Sequence, residues 1–226
     1  DRWPNDIEIL TLYAKNQNDA GNLQKAINVL VNCHSEQFTP EFVNVAVSQL
    51  IGIWLQDTSF TSAINNFSDR LKKHIVSEIE ADCENADYEL DLADLRLIKG
   101  DNDGAESLYF TLVNHLDDHL AYMSWRVHRG LAIFAAKSGN IDGALAALNT
   151  SLQSKPDEST LHLLNAKINF QGRRFYEAYK ASERLLDITH NSSDTLNWVL
   201  KQMADAKQYD RAIDLLTRAL GQSPND

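Results

Sequence analysis

Glycine and proline are scarce in this chain, nine and four residues of 226, so the few breaks they make carry information about its organisation. Cysteine is scarcer still. Cys33 and Cys83 form neither a close-set ligand pattern nor a dense framework, which argues against a zinc module or a disulfide scaffold and leaves open whether the two are free or paired. Basic residues are outnumbered 21 to 32, and the net charge of -11 would repel phosphate backbones and anionic lipid alike. Nucleic acid is therefore not an expected partner. The longest apolar runs fall far short of the roughly 20 residues that span a bilayer, so no membrane insertion is expected of this stretch. No basic-then-apolar leader opens the chain, which starts at Asp1 rather than at methionine. Glycine-rich phosphate loops and nucleophile elbows are missing too, and cysteine meets histidine only in the adjacent Cys33-His34. His34, His74, His128, His162 and His190 have no nucleophile or carboxylate at motif spacing. Catalysis, cofactors and metals are accordingly not expected.

What is present is a beat. Ala144, Ala178 and Ala212 follow one another at intervals of 34 residues, and Pro156 returns as Pro224 after 68, with His190 at the midpoint. Gly100, Gly139 and Gly172 each close an apolar stretch, as do Pro156 and Pro224. Between the breaks the apolar residues keep a helical period, as in Ile141, Leu145, Leu148 and Leu152, and no segment alternates with period two. The expectation is an all-α chain.

Paired helices on a 34-residue period resemble the tetratricopeptide repeat. Aligned on Ala144, that template places Trp125 first, Leu131 and Ala132 at the seventh and eighth positions and Pro156 near the end. Ala14, Ala93, Ala132 and Ala166 share the eighth position, and Ala26, Ala63, Ala105, Ala144, Ala178 and Ala212 the twentieth. Cys33, Ser151 and Ala219 fill a third small site, from which Leu112 and Leu185 depart. Small residues are needed where two helices cross closely, because a bulky side chain would force the axes apart. The resemblance implies a right-handed α-solenoid of six helix pairs, over residues 7–40, 41–75, 86–118, 125–158, 159–192 and 193–226. The excess over 34 falls in His74–Glu84 and His119–Ser124, where loop extension is cheap. The second unit departs most, with Thr58 at the turn and Gly52 inside its first helix at a cost of about 1 kcal/mol. Pro4-Asn5-Asp6 repeats as Pro224-Asn225-Asp226, which suggests a piece of a longer array.

The resemblance further implies a binding groove lined by the first helices of successive pairs. Its positions carry Asp87, Leu90, Asp94 and Leu97, then Arg126, Arg129, Ile133 and Ala136 beside Lys137. The fifth unit contributes Thr160, Leu163, Lys167 and Phe170, and the sixth Asp194, Asn197, Lys201 and Ala204. The implied partner-binding set is Arg126, Arg129, Lys137, Leu163, Lys167, Phe170 and Lys201, suited to a protein or peptide with an acidic segment and an apolar anchor. Reversing Arg129 and Lys167 to glutamate is expected to weaken such binding without unfolding the chain. The plainer alternative is that these cations are ordinary solvated charges. A chaperone-tail carboxylate clamp, as found in some family members, is broken here by Ile133, Leu163 and Asn197. His115 and His119 lie on one helix face with Asp117 and Asp118 between them, but no third ligand stands at metal-binding spacing. The aromatic residues Trp54, Trp198, Tyr109, Tyr179 and Tyr209 fit packing or surface positions. The functional expectation is a non-catalytic interaction scaffold, with self-association through terminal helices a further implication. The alternatives are the scaffold part of a larger exported envelope assembly or secretion protein, and a substrate-recruiting arm of a larger enzyme.

Overall fold

The computed structural model describes residues 7–20, 22–34, 38–81, 86–116 and 120–222. Among the described residues the protein is all-α, with twelve α-helices and no strand. They run as α1 (Ile7–Asp19), α2 (Leu23–Val31), α3 (Pro40–Gln56), α4 (Thr61–Ala81), α5 (Ala86–Lys99) and α6 (Asn102–Asn114), followed by α7 (Ser124–Lys137), α8 (Ile141–Ser154), α9 (Ser159–Gln171), α10 (Phe175–Ile188), α11 (Ser193–Asp205) and α12 (Tyr209–Gln222). Helices α8, α10 and α12 begin 34 residues apart, at 141, 175 and 209, so the period read from the alanines is the period of the elements.

The turn inside a pair recurs atom for atom. The backbone N–H of Asp101 reaches back to the Arg96 carbonyl, Asn140 to Ala135, Arg174 to Asn169 and Gln208 to Met203, at 2.8–2.9 Å. Each is the six-to-one bond that closes a helix when the preceding residue turns left-handed. That residue is Gly100, Gly139, Arg173 or Lys207, with φ between 57° and 81°. Gly172 is therefore not the left-handed residue of its turn. It has φ of -77° and closes α9 as a cap, where an added Cβ would lie 2.8 Å from Ile141 Cγ2. His190 does end a helix as expected, but through a left-handed backbone (φ 51°) that proline could not adopt.

Ala14, Ala93, Ala132 and Ala166 are all 0% exposed, as are Ala26, Ala105, Ala144 and Ala178. Ala63 breaks the series. It is exposed on α4, whose enclosed small residue is Ser68, with Ile64, Phe67 and Leu71 buried around it. The 21-residue α4 overruns the template, and the register inferred for the second unit is shifted accordingly.

Consecutive pairs pack on one another and are stitched at about one period. Tyr122 donates to Asp87, Lys137 to Asn102, Gln171 to the Ala136 carbonyl and Arg218 to Glu183, all 35 residues apart. One contact is of another order. Helix α3 also packs against α9, and Lys167 Nζ donates to the Leu55 carbonyl across 112 residues of sequence. Gly52 is the point of approach. A Cβ there would stand 2.8 Å from Asn18 Nδ2 and 2.9 Å from Thr160 Cγ2, so α1, α3 and α9 converge on the absent side chain. The glycine that weakens α3 as a helix is thus required by its packing.

Candidate functional site

Arg126 and Arg129 project from the first turns of α7 toward α5, on neighbouring rungs of the face that the pattern assigned to a groove. They do not reach solvent. Arg126 is 3% and Arg129 0% exposed, and both point into a carboxylate cluster on α5. Arg126 Nη2 lies 2.5 Å from Asp91 Oδ1 and 2.7 Å from Asp94 Oδ2, and Arg129 Nη2 lies 2.7 Å from the same Asp94 oxygen. The Tyr109 hydroxyl on α6 also donates to Asp94, and its ring occupies the space that a Cβ at Gly130 would need. Two cations balance two anions inside the fold. These arginines are corrected from groove cations to core ion pairs, and the glutamate reversal at Arg129 becomes a test of folding.

The electrostatics follow from burial. It favours the neutral form of Asp91, pushing its pKa to about 6 despite Arg126, while Asp91 Oδ2 has no hydrogen-bond partner among the described residues. Burial presses Asp94 the same way, but Arg129, Arg126 and the Tyr109 hydroxyl together hold it below the usual carboxylate range. Burial and the Asp94 charge push Tyr109 well above an ordinary phenol.

Leu163 and Lys167 also turn out to face the chain itself, whereas Lys137 is exposed and lies along the surface beside Trp54. Leu163 is buried, Lys167 caps the Leu55 carbonyl, and Lys137 Nζ sits 5.2 Å from the Trp54 ring while donating to Asn102 at 3.1 Å. Burial lowers the pKa of both lysines. The C-terminal end of α3 thus lies against the residues beside which the sequence pattern placed a guest segment. This correction has a simple cause: helices 112 residues apart in sequence meet there, and no local pattern encodes that.

Lys201 is exposed, and the half-buried Phe170 and Trp198 stand beside it. Phe170 and Trp198 meet edge to face at 6.4 Å and 79°, with Lys167 Nζ 5.7 Å from the indole. Trp198 separates two clefts. One, of about 790 Å³, lies between the C-terminal ends of α9 and α11 and is lined by Lys167, Phe170, Arg173, Phe175, Gln202 and Lys207. The other, of about 450 Å³, lies between α11 and the ends of α2 and α3, lined by Gln56, Asp57, Phe60, Asp194, Asn197 and Lys201. Sequence reasoning missed Arg173, Phe175 and Lys207 because they belong to turns and second helices. The signal available was the 34-residue spacing of two cations at a turn position held elsewhere by glycine.

The remaining candidates are structural or fall elsewhere. His162 Nε2 sits 2.7 Å from the Pro156 carbonyl, and burial lowers its pKa. His115 Nδ1 lies 2.7 Å from the Thr111 carbonyl, whereas His119, Asp117 and Asp118 are outside the described residues. Cys33 is a buried free thiol, and Cys83 is likewise outside the described residues, as are both Pro-Asn-Asp triplets. No helix among the described residues is long and apolar enough to cross a membrane. A scan against protein-family models found no match to the chain, and a search of curated proteins found none either.

Proposed function

We propose that this chain is a non-catalytic interaction module: a right-handed α-solenoid of six tetratricopeptide-like pairs that binds a segment of another protein on its inner wall. The fold reading is supported by the recurring turn, with its six-to-one bond and left-handed residue, and by eight alanines fully enclosed at two template positions. The winding is tight. Because α3 fills the middle of the wall, the binding surface contracts to its open end, where Phe170, Trp198 and Lys201 stand beside the two clefts.

The observation that carries the functional reading is Trp198, a large side chain on a first helix that stays partly exposed between two open clefts. Partly exposed aromatic anchors of that kind are favoured in interfaces, where a rigid apolar body gains much from desolvation at little entropic cost. A photo-crosslinking side chain placed at Lys201 or Gln202, expressed in the source cell, should yield adducts with a partner protein. The same group at Glu106, exposed on α6, should not. Equal adducts from all three positions would refute a binding surface on the inner wall.

A second surface supports association through a terminal helix. On α12, Tyr209, Ile213, Leu216 and Leu220 form a stripe with exposures of 58%, 62%, 38% and 64%. One period earlier the matching residues of α10 include Ser182 and Leu186, both buried, and Tyr179, whose hydroxyl donates to Asp214 of the next pair. The face that α10 covers with its neighbour is exposed on α12 among the described residues, and it is the surface on which a second copy would stack.

A further inference from the structure

Resting on that interaction reading, we propose that the cleft between α9 and α11 takes an acidic peptide segment bearing one aromatic or large aliphatic side chain. The apolar side would seat on Phe170, Phe175 and Trp198, and the carboxylates would face Arg173 and Lys207. This site shares Lys167 and Phe170 with the set inferred from the sequence pattern and adds Arg173 and Lys207, which come from the turns that close α9 and α11.

Charge supports this occupant. In a chain of net charge -11, the cleft is lined by three cations, Lys167, Arg173 and Lys207, against the single acid Asp205. Two helix C-termini open onto it, each contributing about half a negative charge. Lys167 is held by the Leu55 carbonyl, so Arg173 and Lys207 are the cations left to face a ligand, in a lining whose side-chain charge is the reverse of the protein as a whole. Arg174, next in sequence, is taken up by Asp142, whereas no salt bridge involves Arg173 or Lys207 among the described residues.

Backbone geometry points the same way. The equivalent turn residues earlier in the chain are Gly100 and Gly139, each at φ 81° with nothing within 4 Å of the point where a Cβ would stand. Arg173 and Lys207 adopt φ of 57° and 58° at the same place, a left-handed backbone that disfavours a side chain by roughly 1 kcal/mol. Both turns of the cleft thus carry a cation where glycine would relieve the strain, although His190 and Asn191 adopt the same backbone away from it. A cleft of about 790 Å³ accommodates one large side chain with its flanking backbone.

The test is selection of a random-peptide display library on the full chain at low salt, followed by affinity measurement with a synthetic copy of the selected peptide. Acidic sequences with an aromatic or leucyl side chain should be enriched, and replacing their acids by the matching amides should abolish binding. The double variant Arg173→Gly/Lys207→Gly should lower affinity about tenfold, the scale of a lost pair of charge contacts. Because glycine relaxes both turns, this variant should melt no lower than the parent, so the loss cannot be attributed to unfolding. Enrichment of neutral or basic peptides that Phe170→Ala still weakens would overturn the acidic assignment while leaving cleft binding intact. Absence of any enrichment would overturn both.

Discussion

Replacing Asp94 by asparagine should remove a large part of the stability of this fold. Asp94 is 0% exposed and is the shared acceptor for Arg126 Nη2 and Arg129 Nη2, both at 2.7 Å, and for the Tyr109 hydroxyl. An amide cannot neutralise two guanidinium groups, and Arg129 would be left with no carboxylate in a site that excludes water. Stranding a buried charge in this way costs about 3–5 kcal/mol, against a total of about 5–15 kcal/mol for an ordinary domain. For a chain of this length each kcal/mol lowers the melting temperature by about 2–4 °C, so a drop on the order of 10 °C is expected. Calorimetry and urea titration at neutral pH would measure it. The double variant Asp94→Asn/Arg129→Met, which removes the stranded charge, should recover part of the loss, with a coupling of at least about 1 kcal/mol. As a control, Arg184→Ala breaks a pair whose members are 50% and 75% exposed and should change stability by less than about 1 kcal/mol. A loss below about 1 kcal/mol for Asp94→Asn, or strict additivity with Arg129→Met, would refute the buried network.

Gly52→Ala should destabilise by about 1–3 kcal/mol through overpacking, although alanine is the better helix former by about 1 kcal/mol, because Asn18 is held by Gln49 and Thr160 is buried. A gain in melting temperature would show that α1, α3 and α9 do not converge as described. Asp91, with its folded pKa raised to about 6 from 3.8, binds a proton more readily folded than unfolded, so its contribution favours the folded state increasingly as pH falls from 7 toward 4. Asp94 acts oppositely, its depressed pKa supplying stability above about pH 4 that is lost at lower pH. Denaturation across this range should therefore show an acid-side rise of at most about 3 kcal/mol that Asp91→Asn flattens; parallel curves for parent and variant would contradict it. If α12 mediates self-association, sedimentation should show a concentration-dependent shift that Ile213→Lys/Leu220→Lys removes without lowering the melting temperature, and identical profiles would exclude that surface.

The alanines were informative because a close helix crossing leaves a residue no room to be large, and that constraint is written at a fixed spacing. Eight of the ten predicted crossing alanines are fully enclosed. Ala63 misled because the long α4 is out of phase, and Ala212 on α12 is only partly buried. Arg126 and Arg129 show the limit of the same method. The period identified the wall they stand on but not what stands opposite, although the clue was visible: Asp91 and Asp94, one period upstream on the adjacent rung, offer the complementary charge. Neighbour relations can be read from a repeat. The meeting of α3 with α9 cannot, since it joins residues 112 apart in sequence and no local pattern encodes it.

That meeting changes what kind of object the array is. A plain stack of hairpins behaves like a string of beads, from which units can be removed, duplicated or peeled off one at a time. Here the hook between Lys167 and Leu55 and the interlock at Gly52 tie distant units together, so splicing in one more hairpin between them would swing the two halves of the clasp out of line. An extra hairpin is therefore expected to be tolerated outside the clasp and to disrupt the contact when placed within it.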